Sequence, residues 1–509
     1  MALLAIALRA PLFDLPLERD EGEYSYIAWR LAAGETPYRD WFDQKPPAVF
    51  LAYRLALAWP GDPVPAIRAV AALFCAGSAL ALFGLARALL GATAAGLAAL
   101  LFVFLSADPM LQGPIANTEI FMVPWIAAAA LLAVRCLGGA RPPIAAALAI
   151  GLALGAATAF KQVAAVNAPF LIWIYWLRAP RGERARATVR FAAALAAGGC
   201  AVWAAILLWF WQRGALAPAL DAILFHNLEY AADLTPAERW GALQYFIPPL
   251  VPSQGAAWLL AVIGLIALAR RSDRTPAIFL GGFALVNAVG VSASGFYFPH
   301  YFQQLLPAVA ALAAAAAVGG GAAPRWRVAL VGAVAIAPLA YAAVSFWRID
   351  PAAASRRIYP DNNFDAMPAI AAEVASTTAP GDRVFVFGSE PEILFYARRV
   401  SASRYIFLFP VFGTFSDAEQ RQADVIAEVE AARPAAIVWM PMQSFFGRGR
   451  PQLLTEWTRA AIDRDYRAHA ISVANANGET RLERIAPAAD VRALLAEKQP
   501  WAILFVRAR

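Results

Sequence analysis

Most of the chain consists of long apolar runs broken by short polar links. Ala69–Ala86, Ile120–Val134, Ile144–Phe160, Ala192–Trp211 and Val328–Phe346 carry almost no charge. A helix needs about 20 mostly apolar residues to cross the hydrocarbon of a bilayer. Repeated runs of this kind predict an α-helical polytopic membrane protein with about 10–11 transmembrane helices. The pattern changes near Asp350, where charges become frequent and apolar runs short. RVFVFG (Arg383–Gly388) and AAIVWM (Ala435–Met440) read as buried strands, and Pro391–Arg398 and Asp417–Ala432 as helices. Strands alternating with helices predict a small α/β domain built on a parallel sheet. The expected division is residues 1–347, a membrane domain, and 348–509, an α/β domain.

Composition and charge then orient the chain. It is 61% hydrophobic and 16% charged, with a net charge of +7. A basic balance can mean nucleic acid, but here the arginines sit in short links between apolar runs. Arg178, Arg181, Arg184, Arg186 and Arg190 crowd one link, and Arg270, Arg271 and Arg274 another. Arg325 and Arg327, Arg135 and Arg141, and Arg87 mark three more. That distribution is what orientation across a membrane requires, so membrane lipids are the expected surroundings and nucleic acid is not an expected partner. With these links inside, the others face outward: Leu17–Val64, Asp108–Thr118, Lys161–Gln162, Gln212–Gln254 and Ser292–Gln304. A large first outer loop spans about residues 11–64, and the α/β domain lies outside the cytoplasm. Met1–Leu8 is apolar but too short to span, as in a first helix cut short or a half-buried stub. No basic leader or small-residue cleavage site marks a signal peptide. Cys75, Cys136 and Cys200 lie in or at the ends of apolar runs and read as small core residues.

Polar groups at membrane depth are costly and default to functional readings. Here they fall on the outer side, from links far apart in sequence: Asp20, Glu21, Glu23, Lys45, Asn117, Glu119, Lys161, Gln162, His300 and Tyr301. Asp20 and Glu21 are either a solvated pair or a general base with a neighbour that tunes it. Without clear further ligands they are weak evidence for a divalent metal, which stays possible. Lys45 precedes Pro46 and Pro47. It is either a snorkelling lysine on a stiff re-entry into the membrane or a fixed ammonium for a phosphate. Lys161 can also snorkel, but two lysines at one depth favour an anionic partner. Asn117 or Thr118 can cap the next helix, with Glu119 at its positive end. His300 reads as a hydrogen-bond donor, since the histidines show no zinc spacing. In the tail, GSEPE follows a strand, but Glu390 and Glu392 would repel phosphate and no G-x-G-x-x-G is present. The tail is therefore expected to be a scaffold or an acceptor-facing lid.

The blocks RDEGEY…GETPYRDWFDQKPP, ANTEIFMVPW, FKQ and PHYFQQLLP, in this order, resemble bacterial membrane glycosyltransferases of the GT-C class. The nearest likeness is to the family 39 group, with its protein O-mannosyltransferases and lipid A aminoarabinose transferases. The resemblance covers roughly Pro11 to Ala317. It implies a polyprenyl-phosphate sugar donor, an acceptor that is protein, lipid or glycan, and a site on the outer face of the cytoplasmic membrane. It further implies Asp20 as the base, with Glu21 and Glu119 orienting acceptor or sugar. Lys45 would neutralise the departing phosphate, helped by Lys161 and His300, with Gln162, Tyr301 and Asn117 at the substrate; direct displacement would invert the anomeric carbon. The alternatives are a transporter or lipid flippase, which would spread polar groups through the bilayer depth, and a sensor whose outer domain binds a partner.

Overall fold

The structure, a computed structural model, describes residues 1–136, 144–318, 324–441, 452–475, 478–486 and 491–508. Arg141, one of the expected inner arginines, lies outside them. Among the described residues seven helices are long and apolar enough to cross a bilayer. They are Pro63–Leu90, Thr118–Cys136, Arg184–Gln212, Pro236–Ala269, Thr275–Ser292, Pro299–Val318 and Arg325–Trp347. Ala92–Leu105 and Ile144–Phe160 are equally apolar but have 14 and 17 residues. At 1.5 Å per residue they reach only about 21 and 26 Å. The expected 10–11 spans are therefore seven full-length helices and several short ones packed among them.

Lipid tails are as apolar as leucine, so these helices gain little from hiding greasy surface and associate by close packing. Small residues mark the contacts. A Cβ on Gly151 would collide with the Leu195 carbonyl, and one on Gly198 with that of Leu148, so Ile144–Phe160 and Arg184–Gln212 touch backbone to backbone. Gly264 meets the Leu312 carbonyl in the same way. Of the cysteines only Cys75 is core; Cys136 is half-buried and Cys200 exposed, so the reading of all three as core residues fails for Cys200.

The segment read as the first outer loop, about residues 11–64, is largely helical. Arg19–Ala32 starts with a reciprocal capping box: Glu18 accepts from the Glu21 amide and Glu21 from the Glu18 amide. Ala48–Leu57 follows Pro46 and Pro47 and packs on it. Beyond Trp347 lies a six-stranded sheet, ordered β2-β1-β3-β6-β4-β5. The strands are β1 (Arg383–Phe387), β2 (Val400–Ser401), β3 (Ala436–Trp439), β4 (Tyr466–Ala474), β5 (Thr480–Arg484) and β6 (Ala502–Arg507). The expected parallel sheet holds for β2, β1 and β3 only. β4 and β5 are adjacent in sequence and pair antiparallel, as a short connection demands. β6 then fills the gap between β3 and β4, antiparallel to both. The Glu392–Ala397 helix after β1 packs on Arg19–Ala32, so this N-terminal segment lies against the C-terminal sheet domain as well as against the membrane helices.

Candidate active site

The first turn of Arg19–Ala32 carries Asp20, and the two prolines after Lys45 stiffen the return toward the membrane. The Lys45 amide donates to Asp43 Oδ1 at 2.8 Å, and its carbonyl accepts from the Tyr38 hydroxyl at 2.6 Å. Tyr38 itself sits at φ 69°, a costly left-handed conformation for a non-glycine residue. So fixed, the Lys45 ammonium lies 3.5 Å from Asp20 Oδ2, which also accepts from the Tyr24 hydroxyl at 3.2 Å. Burial alone would raise the Asp20 carboxyl. Lys45 above all, with Lys161 and Arg19 among the other positive groups, outweighs burial and holds it below the ordinary range. Burial also works against the Lys45 charge, but Asp20, Asp43 and Glu23 keep the ammonium above its usual value. Asp43 is pushed up to about 6 and Glu23 well up, each mainly by burial. Glu23 Oε1 and Asp43 Oδ2 are buried without a hydrogen-bond partner. Lys45 is thus a cation among more carboxyls than it can satisfy.

A second ammonium stands across a cavity of about 200 Å³. Lys161 ends the Ile144–Phe160 helix, pairs with Glu119 Oε1 and sits 3.6 Å above the Tyr301 ring. Glu119 Oε2 accepts from Thr118 Oγ1 at 3.0 Å. Lys45, Glu119, Lys161, Gln162 and Tyr301 all line the cavity. One wall is apolar, with Ile223, Leu224, Leu228 and Val291, and Leu224 and Leu228 are also exposed at the surface. The chamber therefore joins a cationic end to a greasy side. Among the described residues no three His, Cys, Asp or Glu side chains are grouped to hold a metal ion.

The architecture matches known proteins. The solved structure of ArnT from Cupriavidus metallidurans with undecaprenyl phosphate aligns over 99% of this chain and 96% of that one, with TM-score 0.59 and 16% identity. This chain has the GT-C glycosyltransferase fold. A second GT-C structure, the archaeal oligosaccharyltransferase AglB from Archaeoglobus fulgidus with an inhibitory peptide and a dolichol-phosphate, has TM-score 0.54 and 14% identity, covering 96% of this chain and 74% of that one. A family model described as dolichyl-phosphate-mannose-protein mannosyltransferase matches residues 44–209, about a third of the chain. That stretch holds Lys45, Glu119 and Lys161. No curated protein sequence matches significantly. At these identities the GT-C likeness speaks for the fold, and the roles of individual residues rest on their own geometry.

On this GT-C frame the expected site residues divide. Glu21, expected to orient substrate, is instead fully buried and committed to Arg68 and to the Ala116 amide. Asn117, expected at the substrate or as a cap, is buried with neither amide atom hydrogen-bonded. His300 pairs through Nδ1 with Gln112 Oε1, its ring 4.9 Å from that of Tyr301, and stands behind the cavity wall. Gln162 lines the cavity but donates to the Ile223 carbonyl at 2.9 Å, so it props the wall. Sequence reasoning missed Asp43, beside Lys45, and Tyr230, Asn227 and Gln304, which line the cavity. Asp43 lies two residues before Lys45 and was findable as a carboxyl within turn distance. Asn227, which donates to the Gln44 carbonyl at 2.6 Å, was not findable. It follows a π-helical turn, Asp221–Phe225, whose register no apolar period announces.

Proposed function

We propose that the chain is a membrane glycosyltransferase moving a sugar from a polyprenyl-phosphate donor to an acceptor hydroxyl or amine on the outer face of the cytoplasmic membrane. The α/β domain is on that same face. The observation that carries this reading is the pair of ammonium groups in one part-apolar chamber, with Lys45 3.5 Å from a carboxylate. The family description names a dolichyl-phosphate sugar, and the ArnT structure was solved with undecaprenyl phosphate, both in keeping with such a donor.

The donor phosphate settles between Lys45 and Lys161, and its prenyl chain runs along the Ile223–Leu228 wall toward lipid. Nucleotide sugars stay inside the cell, so an outer site takes a donor that crosses on a lipid. As the acceptor atom bonds to the anomeric carbon, the bond from that carbon to the phosphate oxygen breaks. The electron pair leaves with the phosphate, and the proton passes to Asp20. Fixed cations help because negative charge grows on that oxygen in the transition state. A phosphate that engages Lys45 also draws it from Asp20, so the carboxylate becomes a better base as the donor arrives. One displacement inverts the anomeric centre.

Purified protein in vesicles, given labelled polyprenyl-phosphate sugars and cell-envelope acceptors, should form a glycoside of inverted configuration, read by NMR. Retained configuration would contradict a single displacement. Movement of the lipid donor across the vesicle with no covalent product would make the chain a flippase instead.

A further inference from the structure

Arg19–Ala32 has two working faces. Asp20, Glu23 and Tyr24 look toward Lys45. On a neighbouring face, residues 19, 22 and 26 meet the C-terminal domain. Arg19 Nε donates to the Ser389 carbonyl at 2.6 Å, and its Nη2 donates to Glu390 Oε1 at 2.8 Å and to Asn362 Oδ1 at 3.2 Å. Its guanidinium also lies 5.6 Å from the Phe364 ring centre. Gly22 lets the backbones meet: a Cβ there would stand 2.6 Å from the Glu392 amide nitrogen. The Tyr26 hydroxyl accepts from the Ser401 amide at 2.9 Å. Just before the helix, the Leu17 amide donates to the Tyr396 hydroxyl at 2.8 Å. The GSEPE turn after β1, unsuited to phosphate, is thus built onto the helix that carries the base.

We infer that this turn, through Glu390, is a positioning element for Asp20: it fixes the rotation of Arg19–Ala32 and keeps the Arg19 guanidinium engaged away from the neighbouring carboxylate. Glu390 touches no reacting atom and acts through Arg19. The inference rests on the glycosyltransferase reading for the role of Asp20. Its physical basis is local. Asp20 sits in a first helical turn, where backbone amides lack intrahelical partners. A misplacement of about 1 Å at a reacting group can lower the rate about 100-fold. A guanidinium released from Glu390 and Ser389 would no longer fix the rotation of the helix that sets Asp20 against Lys45.

The test uses the full chain in lipid nanodiscs, comparing wild type with Glu390→Ala, Glu390→Gln, Gly22→Ala and the surface control Arg464→Ala. Two readings are taken: amide hydrogen exchange over residues 18–24, and kcat and KM with a polyprenyl-phosphate sugar. Glu390→Ala should speed exchange about tenfold there, leave Thr118–Cys136 unchanged, and lower kcat about 30-fold with donor KM within about threefold. Glu390→Gln retains an acceptor for Arg19 and should recover most of the rate. Gly22→Ala should lower kcat as Glu390→Ala does, because the added methyl pushes the turn away. If Glu390→Ala does not fold, Arg19→Lys, which keeps the charge and loses the fork, carries the same expectation. Unchanged kcat and exchange in Glu390→Ala would overturn the inference, as would equal losses in Glu390→Ala and Glu390→Gln, or a loss confined to KM. If wild type transfers no sugar, the functional reading fails, while the exchange data still decide whether the turn holds the helix.

Discussion

Asp20 and Glu21 are chain neighbours with the same chemistry and opposite fates. Glu21 meets Arg68 at 2.7 Å with both side chains fully buried. The remaining guanidinium protons go to the Leu15, Phe13 and Pro16 carbonyls at 2.5, 2.8 and 3.2 Å, and Glu21 Oε1 also takes the Ala116 amide. Asp20 meets Lys45 at 3.5 Å, each about a fifth exposed, beside carboxyls with unpartnered oxygens. A buried charge is tolerable when it is paired and every lone pair is used, and arginine's planar fork suits that task. A lysine is a point charge on a flexible stem, able to change partners. The closed pair builds the fold, and the loose pair is available for chemistry.

The largest effect expected from breaking this contrast is on the closed pair. Arg68→Met leaves a buried carboxylate alone and should cost about 3–5 kcal/mol. That is enough to lose most folded protein, measured as monodisperse yield and thermal midpoint. If Arg68→Met folds normally, Glu21 is not a structural group. Lys45→Gln should do the reverse. It should cost less stability than Arg68→Met, since both partners keep some solvent contact, and should lower kcat about 100-fold, by analogy with loss of one transition-state donor. It should also move the pH profile. Asp20 is depressed chiefly by Lys45, so wild type stays active down through the ordinary carboxylate range near pH 4. Without that cation burial dominates, the carboxyl rises, and the acidic limb shifts to higher pH. An unmoved limb would separate Asp20 from Lys45.

The smallest effect concerns a third kind of polar group. His226 is buried between Phe42 and Phe415, with neither ring nitrogen hydrogen-bonded, and burial drives its pKa down to about 3. Its folded value lies below the unfolded one near 6.5, so its share of stability is intact above that pH and fades as pH falls toward 3. His226→Phe should leave stability at pH 7.5 within about 1 kcal/mol of wild type or raise it. It should also flatten the decline between pH 6.5 and 4, followed by thermal midpoints across that range.

Much of this was legible in the sequence because bilayer and sheet impose periods. Charge-free runs announced the spans, and the arginine-rich links placed Lys45, Glu119 and Lys161 on one side. The short strands were readable at Arg383 and Ala436 from their apolar cores. What stayed hidden depends on partners remote in sequence. Nothing near Glu21 indicates that Arg68 will claim it, and nothing near Asn227 that a π-turn will face it toward Gln44. Nothing near Gly22 indicates that the Glu392 backbone will lie against it. The antiparallel half of the sheet was missed because β6 inserts between strands that precede it in the chain.

In the proposed reaction Asp20, and not its neighbour, removes the acceptor proton. The most direct measurement is single-turnover sugar transfer by Asp20→Asn, with binding of the polyprenyl-phosphate carrier followed in the same sample. Transfer should fall at least about 100-fold, with carrier binding retained and the thermal midpoint near wild type. Transfer at the wild-type rate by a folded Asp20→Asn protein would contradict this role for Asp20.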